Sequence, residues 1–184
     1  MRSTAFVLQG NTGSEKGNSI PESTVRNILR ESEKMALAVR LDKKQMLHLQ
    51  LLAEELICMM PQLMRYGSGK FWIECYYQKF ELHVNVDTGS EFRLPEPEKP
   101  QEKRGIIRKI LGAFDNALNS SKESGTQTSW SLHSYIDAVR GSKREENTDA
   151  WDELEGSIIA NIADDVTITA SGSQAEIVVL LGFD

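Results

Sequence analysis

The stretch Leu47 to Met64, LHLQLLAEELICMMPQLM, is an apolar run of helical period with two adjacent carboxylates, Glu54 and Glu55, in its middle. At about 100° per residue, Leu49, Leu52, Ala53, Leu56, Met60, Leu63 and Met64 share one arc, which predicts a helix whose broad face covers a core. Leu47, Leu51 and Cys58 share a second arc, between the directions of the two carboxylates. Apolar residues on two sides predict burial on two sides, and a carboxylate at the edge of such a face is costly unless paired, hydrated or used. Glu55 is therefore a candidate functional residue, against the plainer reading of a helix-surface carboxylate near His48 and Gln62. Glu54, aligned with Lys43 and Gln50, reads as solvated or salt-bridged.

Upstream, Pro21-Glu22-Ser23 opens an amphipathic helix carrying Val25, Ile28, Leu29, Met35, Ala36, Leu37 and Val39 and ending near Arg40. Asp42, with Gln45 three residues on, has the form of a capping box for the next helix, so the two helices are expected side by side. Thr4 to Leu8 is a candidate edge strand, followed by a polar loop over Gly10 to Ser19. Downstream of the glycines at 67 and 69 the period changes to two. Phe71–Tyr77 and Phe80–Val86, with Gln78-Lys79 between them, predict an antiparallel hairpin that ends at Asp87-Thr88-Gly89. Three prolines between Leu94 and Gln101 mark a linker or loop. Lys103 to Leu118 predicts a helix with Ile106, Ile107, Ile110, Leu111, Phe114 and Leu118 inward. Asn119 to Ser129 reads as flexible, Trp130 to Val139 as a short helix, and Trp151 to Ile162 as a last helix. Val166–Thr169 and Glu176–Leu181 predict a closing hairpin around Ser171-Gly172-Ser173-Gln174.

This order predicts an α+β two-layer sandwich: a mostly antiparallel, mixed sheet of about four or five strands, covered on one face by about four or five helices. One domain over residues 1–184 is expected, with a polar insertion or lid at about 119–150. A net charge of -6 argues against non-specific nucleic-acid binding. No apolar run has the length of a membrane span or a signal peptide, so a cytoplasmic protein is expected. The two cysteines, Cys58 and Cys75, lack metal-ligand spacing and read as reduced, buried thiols. His48, His83 and His133 are scattered, with no zinc spacing, and read as ordinary polar histidines. No metal site is expected.

The helix VRNILRESEKMALAVRL, the Glu-bearing LLAEELICMM, a hairpin ending in Asp-x-Gly, a variable segment, a helix and a final hairpin together resemble the Bergerat (GHKL, histidine-kinase-like) ATP-binding fold. The layout is most similar to the small serine kinases that act as anti-sigma factors, and LLAEEL, FWIE, ELHVNVD and SIIANIADDV resemble segments of a bacterial group of this kind. The resemblance implies a nucleotide, ATP or ADP. Asp87 would accept from the adenine amine, Gly89 would admit the backbone, Glu55 would be the general base, and Gly105 with Arg108 would hold phosphate at a helix start.

The chain departs from the family's pattern in two places. The position four residues after Glu55, where the family has a Mg²⁺-binding Asn, is Met59, and starting from Glu54 it is Cys58; neither sulfur suits a hard cation. The second glycine after Asp87-x-Gly is also missing. The implied function is a degenerate ATP-binding-fold regulator with weak or absent hydrolysis, working through a protein partner or a second copy of itself. Two alternatives stand beside it: an active, divergent serine kinase, and an interaction module without nucleotide. Lys103, Arg104, Arg108 and Lys109 have the plainer reading of a solvated basic face.

Overall fold

Residues 1–9, 20–64, 67–87, 105–141 and 157–183 are described by a computed structural model. The elements are β1 (Phe6–Gln9), α1 (Glu22–Ala38), α2 (Lys43–Leu63), β2 (Ser68–Tyr76), β3 (Lys79–Asp87), α3 (Gly105–Ser124), β4 (Thr128–Ser131), α4 (Leu132–Gly141), α5 (Ile158–Ile162), β5 (Asp165–Ser171) and β6 (Gln174–Gly182). The strands form one six-stranded sheet in the order β1-β2-β3-β6-β5-β4. Every strand pair in it is antiparallel. The fold is thus the α+β arrangement anticipated, with one strand more than the expected range and with no parallel pair among the described residues.

The start of α2 is the capping box: Gln45 N–H donates to Asp42 Oδ1 (2.8 Å) and Asp42 N–H to Gln45 Oε1 (3.0 Å). Before it, α1 ends in a paired turn, with Leu41 N–H on Ala36 C=O (3.0 Å) and Arg40 N–H on Leu37 C=O (3.1 Å). This closure requires a left-handed residue, and Arg40 supplies it at φ 61 without being glycine. Two antiparallel helices follow from so short a link, and α1 packs on α2.

The first apolar arc of α2 is buried throughout: Leu49, Leu52, Ala53, Leu56, Met60 and Leu63 are 0% exposed and Met64 is 2% exposed. Ile57 and Met59 extend it at either edge. The second arc is a correction, because Leu47 is 52% exposed and Cys58 is exposed. One helix in a two-layer sandwich has a single partner layer beneath it, so its opposite side meets solvent.

Alternation along the strands separates the two sheet faces. Phe71, Ile73 and Cys75 of β2, Phe80, Leu82, Val84 and Val86 of β3, and Ala175, Ile177, Val179 and Leu181 of β6 are buried. Helix α2 lies against β3, and α3 against β5, β6 and β4. The alternate residues, among them Trp72, Glu74, Glu81, His83 and Glu176, face the side where no helix lies among the described residues, and they are partly or fully exposed.

Four local expectations change. The first hairpin turns at Tyr77-Gln78 rather than Gln78-Lys79, because Tyr77 adopts φ 58 and Tyr76 pairs with Lys79. The polar Asn119–Ser129 segment is structured: α3 continues to Ser124, and Thr128 and Ser129 begin β4. Ser121 is 1% exposed with its Oγ accepting from Gly172 N–H (2.8 Å), and Thr128 Oγ1 donates to Ala117 C=O (2.7 Å). Trp130 belongs to β4 rather than to the helix after it, since Ser131 Oγ accepts from Ser134 N–H (3.2 Å) and caps α4. The last described helix is Ile158–Ile162, capped by Ser157, whose extended backbone interrupts the expected Trp151–Ile162 helix and whose Oγ accepts from Ala160 N–H (3.2 Å); residues 151–156 lie outside the described residues.

Single-sided burial of α2 makes a direct prediction. Leu56→Ala should cost about 2–5 kcal/mol of unfolding free energy. Leu47→Ala, on the wet arc, should change it by less than about 0.5 kcal/mol in the same chemical denaturation series.

Candidate functional site

Glu55 sits beside Met59 at the margin of the buried arc and is partly exposed, whereas Glu54 is exposed. Met59, one turn on, is 1% exposed and points into the core. Asp87 is the last residue of β3, opposite Gln174 of β6, and its Oδ1 accepts from Ser173 Oγ at 3.3 Å. Gly105 opens α3, and Arg108 is exposed one turn later. Gly89 and the basic pair Lys103-Arg104 lie outside the described residues.

The structure brings some of these positions to one end of the molecule and separates others. Ser121 holds the Gly172 amide in the β5–β6 turn, and the next residue of that turn, Ser173, holds Asp87. The late part of α3 is therefore at the Asp87 end. Arg108 precedes Ser121 by thirteen residues on the same helix. That separation is about 20 Å of helix rise, so Arg108 and Asp87 do not meet. Met64 and Met60 lie over Gly69, whose partner on β3 is Val86, which puts the end of α2 near Asp87. Glu55 is nine residues before Met64, about 14 Å back along the helix.

Arg108 instead lines a cavity of about 640 Å³ between α3, β4 and α4. Lys109, Asn116, Thr128, Trp130 and Tyr135 share its wall, and no carboxylate is among the described lining residues. Lys109 Nζ is 6.0 Å from the Tyr135 ring centroid, and the Trp130 and Tyr135 rings are 6.2 Å apart. Cations and aromatic rings in one wall suit an anionic ligand with a flat, delocalised part. Beyond Trp130 and Tyr135 a second cavity of about 620 Å³ is lined by the hydroxyls of Ser129, Ser131, Ser134, Thr167 and Thr169. Trp130 and Tyr135 are partly buried, packed against the core and lining both cavities. The missed signal is Ser131, a helix cap that separates Trp130 from α4.

No protein-family model, curated protein or solved structure matches this chain. Among the described residues, no helix is long and apolar enough to cross a membrane.

The cysteines take opposite roles. Neither forms a disulfide; Cys58 is exposed, and Cys75 is 4% exposed with its Sγ donating to Tyr77 C=O (3.0 Å). Burial pushes the Cys75 thiol above its ordinary value, opposed only partly by the N-terminal ammonium. The protonated form is thus favoured in the folded state, and the thiolate becomes populated only at higher pH than for an exposed thiol. A thiol-reactive disulfide at neutral pH should give one fast equivalent per chain. That equivalent should vanish in Cys58→Ser, leaving a slow phase that accelerates only on alkaline titration or unfolding.

Proposed function

We propose that this chain is a degenerate ATP-binding-fold regulator of Bergerat type, which holds ATP or ADP with weak or absent hydrolysis and acts through a protein partner. The observation that carries this reading is the inward direction of Met59. Glu55 remains at the edge of α2, but the position one turn on is core, where the family's metal ligand would stand. Placing Asn there would bury an amide rather than rebuild a Mg²⁺ site. The element order supports the same reading: two packed helices, a hairpin closing at Asp87, a helix opening at Gly105 and a final hairpin whose second strand returns to pair with β3. Asp87 accepts from Ser173 through Oδ1. An adenine amine would approach the same carboxylate, which has acceptor capacity for more than one donor.

The Arg108 cavity favours a second reading, in which the anionic aromatic ligand is held between α3 and α4 instead of beside Asp87. Calorimetric titration with ATP and with ADP, each with and without Mg²⁺, separates the two. The leading reading predicts saturable binding of similar strength with and without Mg²⁺, lost in Asp87→Ala and retained in Arg108→Ala. The reverse pattern moves the ligand to the α3–α4 cavity, and no heat at millimolar nucleotide refutes both.

A further inference from the structure

The sheet face opposite α2 carries a row of side chains across three strands. Trp72 on β2 and His83 on β3 are directly opposite, with their rings stacked at 4.7 Å and an interplanar angle of 5°. The next pair along, Glu74 and Glu81, is also directly opposite. Like charges in that position repel, so the pairing is unfavourable unless something cationic joins it. Arg2 reaches one side of it: its Nε is 3.4 Å from Glu74 Oε1, which also accepts from Trp72 Nε1 at 3.0 Å. The basic group beside Glu81 is the imidazole of His83, whose Nε2 lies 3.3 Å from Glu81 Oε2.

His83 is placed to complete the set. Its side chain is 11% exposed, and its Nδ1 lies 3.0 Å from Glu176 Oε1 of β6. A carboxylate on Nδ1 holds the proton there and presents Nε2 as a lone pair, which is the arrangement that orients metal-bound histidines. Nε2 is closed off from solvent and makes no hydrogen bond, although Glu81 Oε2 is only 3.3 Å away. The two atoms are therefore close without meeting the geometry of a hydrogen bond. Ligand atoms around a tetrahedral ion with bonds near 2.0–2.1 Å stand about 3.3 Å apart and do not point at each other. Glu74, Glu81 and His83 each offer a ligand atom, all within 4.8 Å of one another.

We propose that Glu74, Glu81 and His83 form a binding site for a divalent transition cation of the zinc class, with Glu176 orienting the imidazole. Glu74 Oε1 is engaged by Arg2 and Trp72, which leaves its other oxygen for the ion. Three protein ligands leave a fourth position to water, the arrangement of an open zinc site. The imidazole selects Zn²⁺, Co²⁺ or Ni²⁺ over Mg²⁺ and Ca²⁺, which prefer all-oxygen shells. The bound ion would neutralise the Glu74–Glu81 pair and tie β2 to β3. This site is on the opposite sheet face from α2 and is independent of the nucleotide reading.

The test is calorimetric titration of the full chain with ZnCl₂, in a Cys58→Ser background to remove the exposed thiol. One equivalent should bind saturably, raise the Tm and resist millimolar Mg²⁺. Glu81→Gln changes a carboxylate that is 50% exposed, so it tests the site without endangering the fold. Binding should fall by more than about 100-fold in Glu81→Gln and in His83→Gln, and by about 10–100-fold in Glu176→Gln. Absence of saturable Zn²⁺ binding would overturn the proposal. So would binding that survives Glu81→Gln and His83→Gln but is lost in His133→Ala, whose Nε2 lies 3.4 Å from Asp137 Oδ2 on α4.

Discussion

The side chains of Met60 and Met64 lie over Gly69, so close that a β-carbon there would fall 2.5 Å from Met64 Sδ and 3.0 Å from Met60 Cε. This contact sets α2 against the start of β2, and the rest of the architecture follows from it. Helix α1 packs on α2, and α5 packs on α2 from the other end of the chain. On the sheet side, β2 pairs with both β1 and β3, and β3 in turn receives β6. Methionine suits the contact because its unbranched, polarisable chain fills the space that an absent side chain leaves. Glycine at position 69 of β2 thus matches close approach rather than turn geometry, and the atoms it admits belong to flexible methionine side chains.

Where the sequence was legible, a local signal agreed with the tertiary outcome. The helical arc of α2, the Asp42–Gln45 capping box and the alternation of Phe80, Leu82, Val84 and Val86 each reflect a period or a cap that the sandwich then uses. Where it was not, the deciding interaction was non-local or small. Strand β4 has four residues with Trp130 its only apolar side chain, and it exists because it pairs with β5. The Asn119–Ser124 stretch looks like a loop by composition, yet it is the wet side of a helix whose one inward residue there, Ser121, serves the β5–β6 turn. Tyr77 supplies a positive φ that no glycine announces, and the resulting register puts Glu74 opposite Glu81 rather than opposite His83. The candidate site was legible only as separate residues. Glu55 and Asp87 were visible as positions on elements, whereas the environment of Arg108 and the partners of His83 depend on register and on β4.

The two sheet faces divide the chemistry. Helices cover one face, and with them lie Glu55 and the core-facing Met59; the end of β3 adds Asp87, and the α3–β4–α4 edge adds a cavity lined by Arg108 and Lys109. In a chain of net charge -6, two cations on the described wall of one cavity favour an anion there. The other face concentrates carboxylates around a single imidazole and favours a cation. A regulator that reads an anionic ligand on one side and a divalent ion on the other would need no bond-breaking chemistry, only differential affinity between its states.

The proposed function depends on whether ATP or ADP binds beside Asp87. An amide-resolved NMR titration of the full chain with ADP addresses that position without substituting any residue. Shifts concentrated at the end of β3, around Asp87, and along α2 near Glu55 are the predicted result. Shifts confined to Arg108, Trp130 and Tyr135, or none at millimolar ADP, would contradict it.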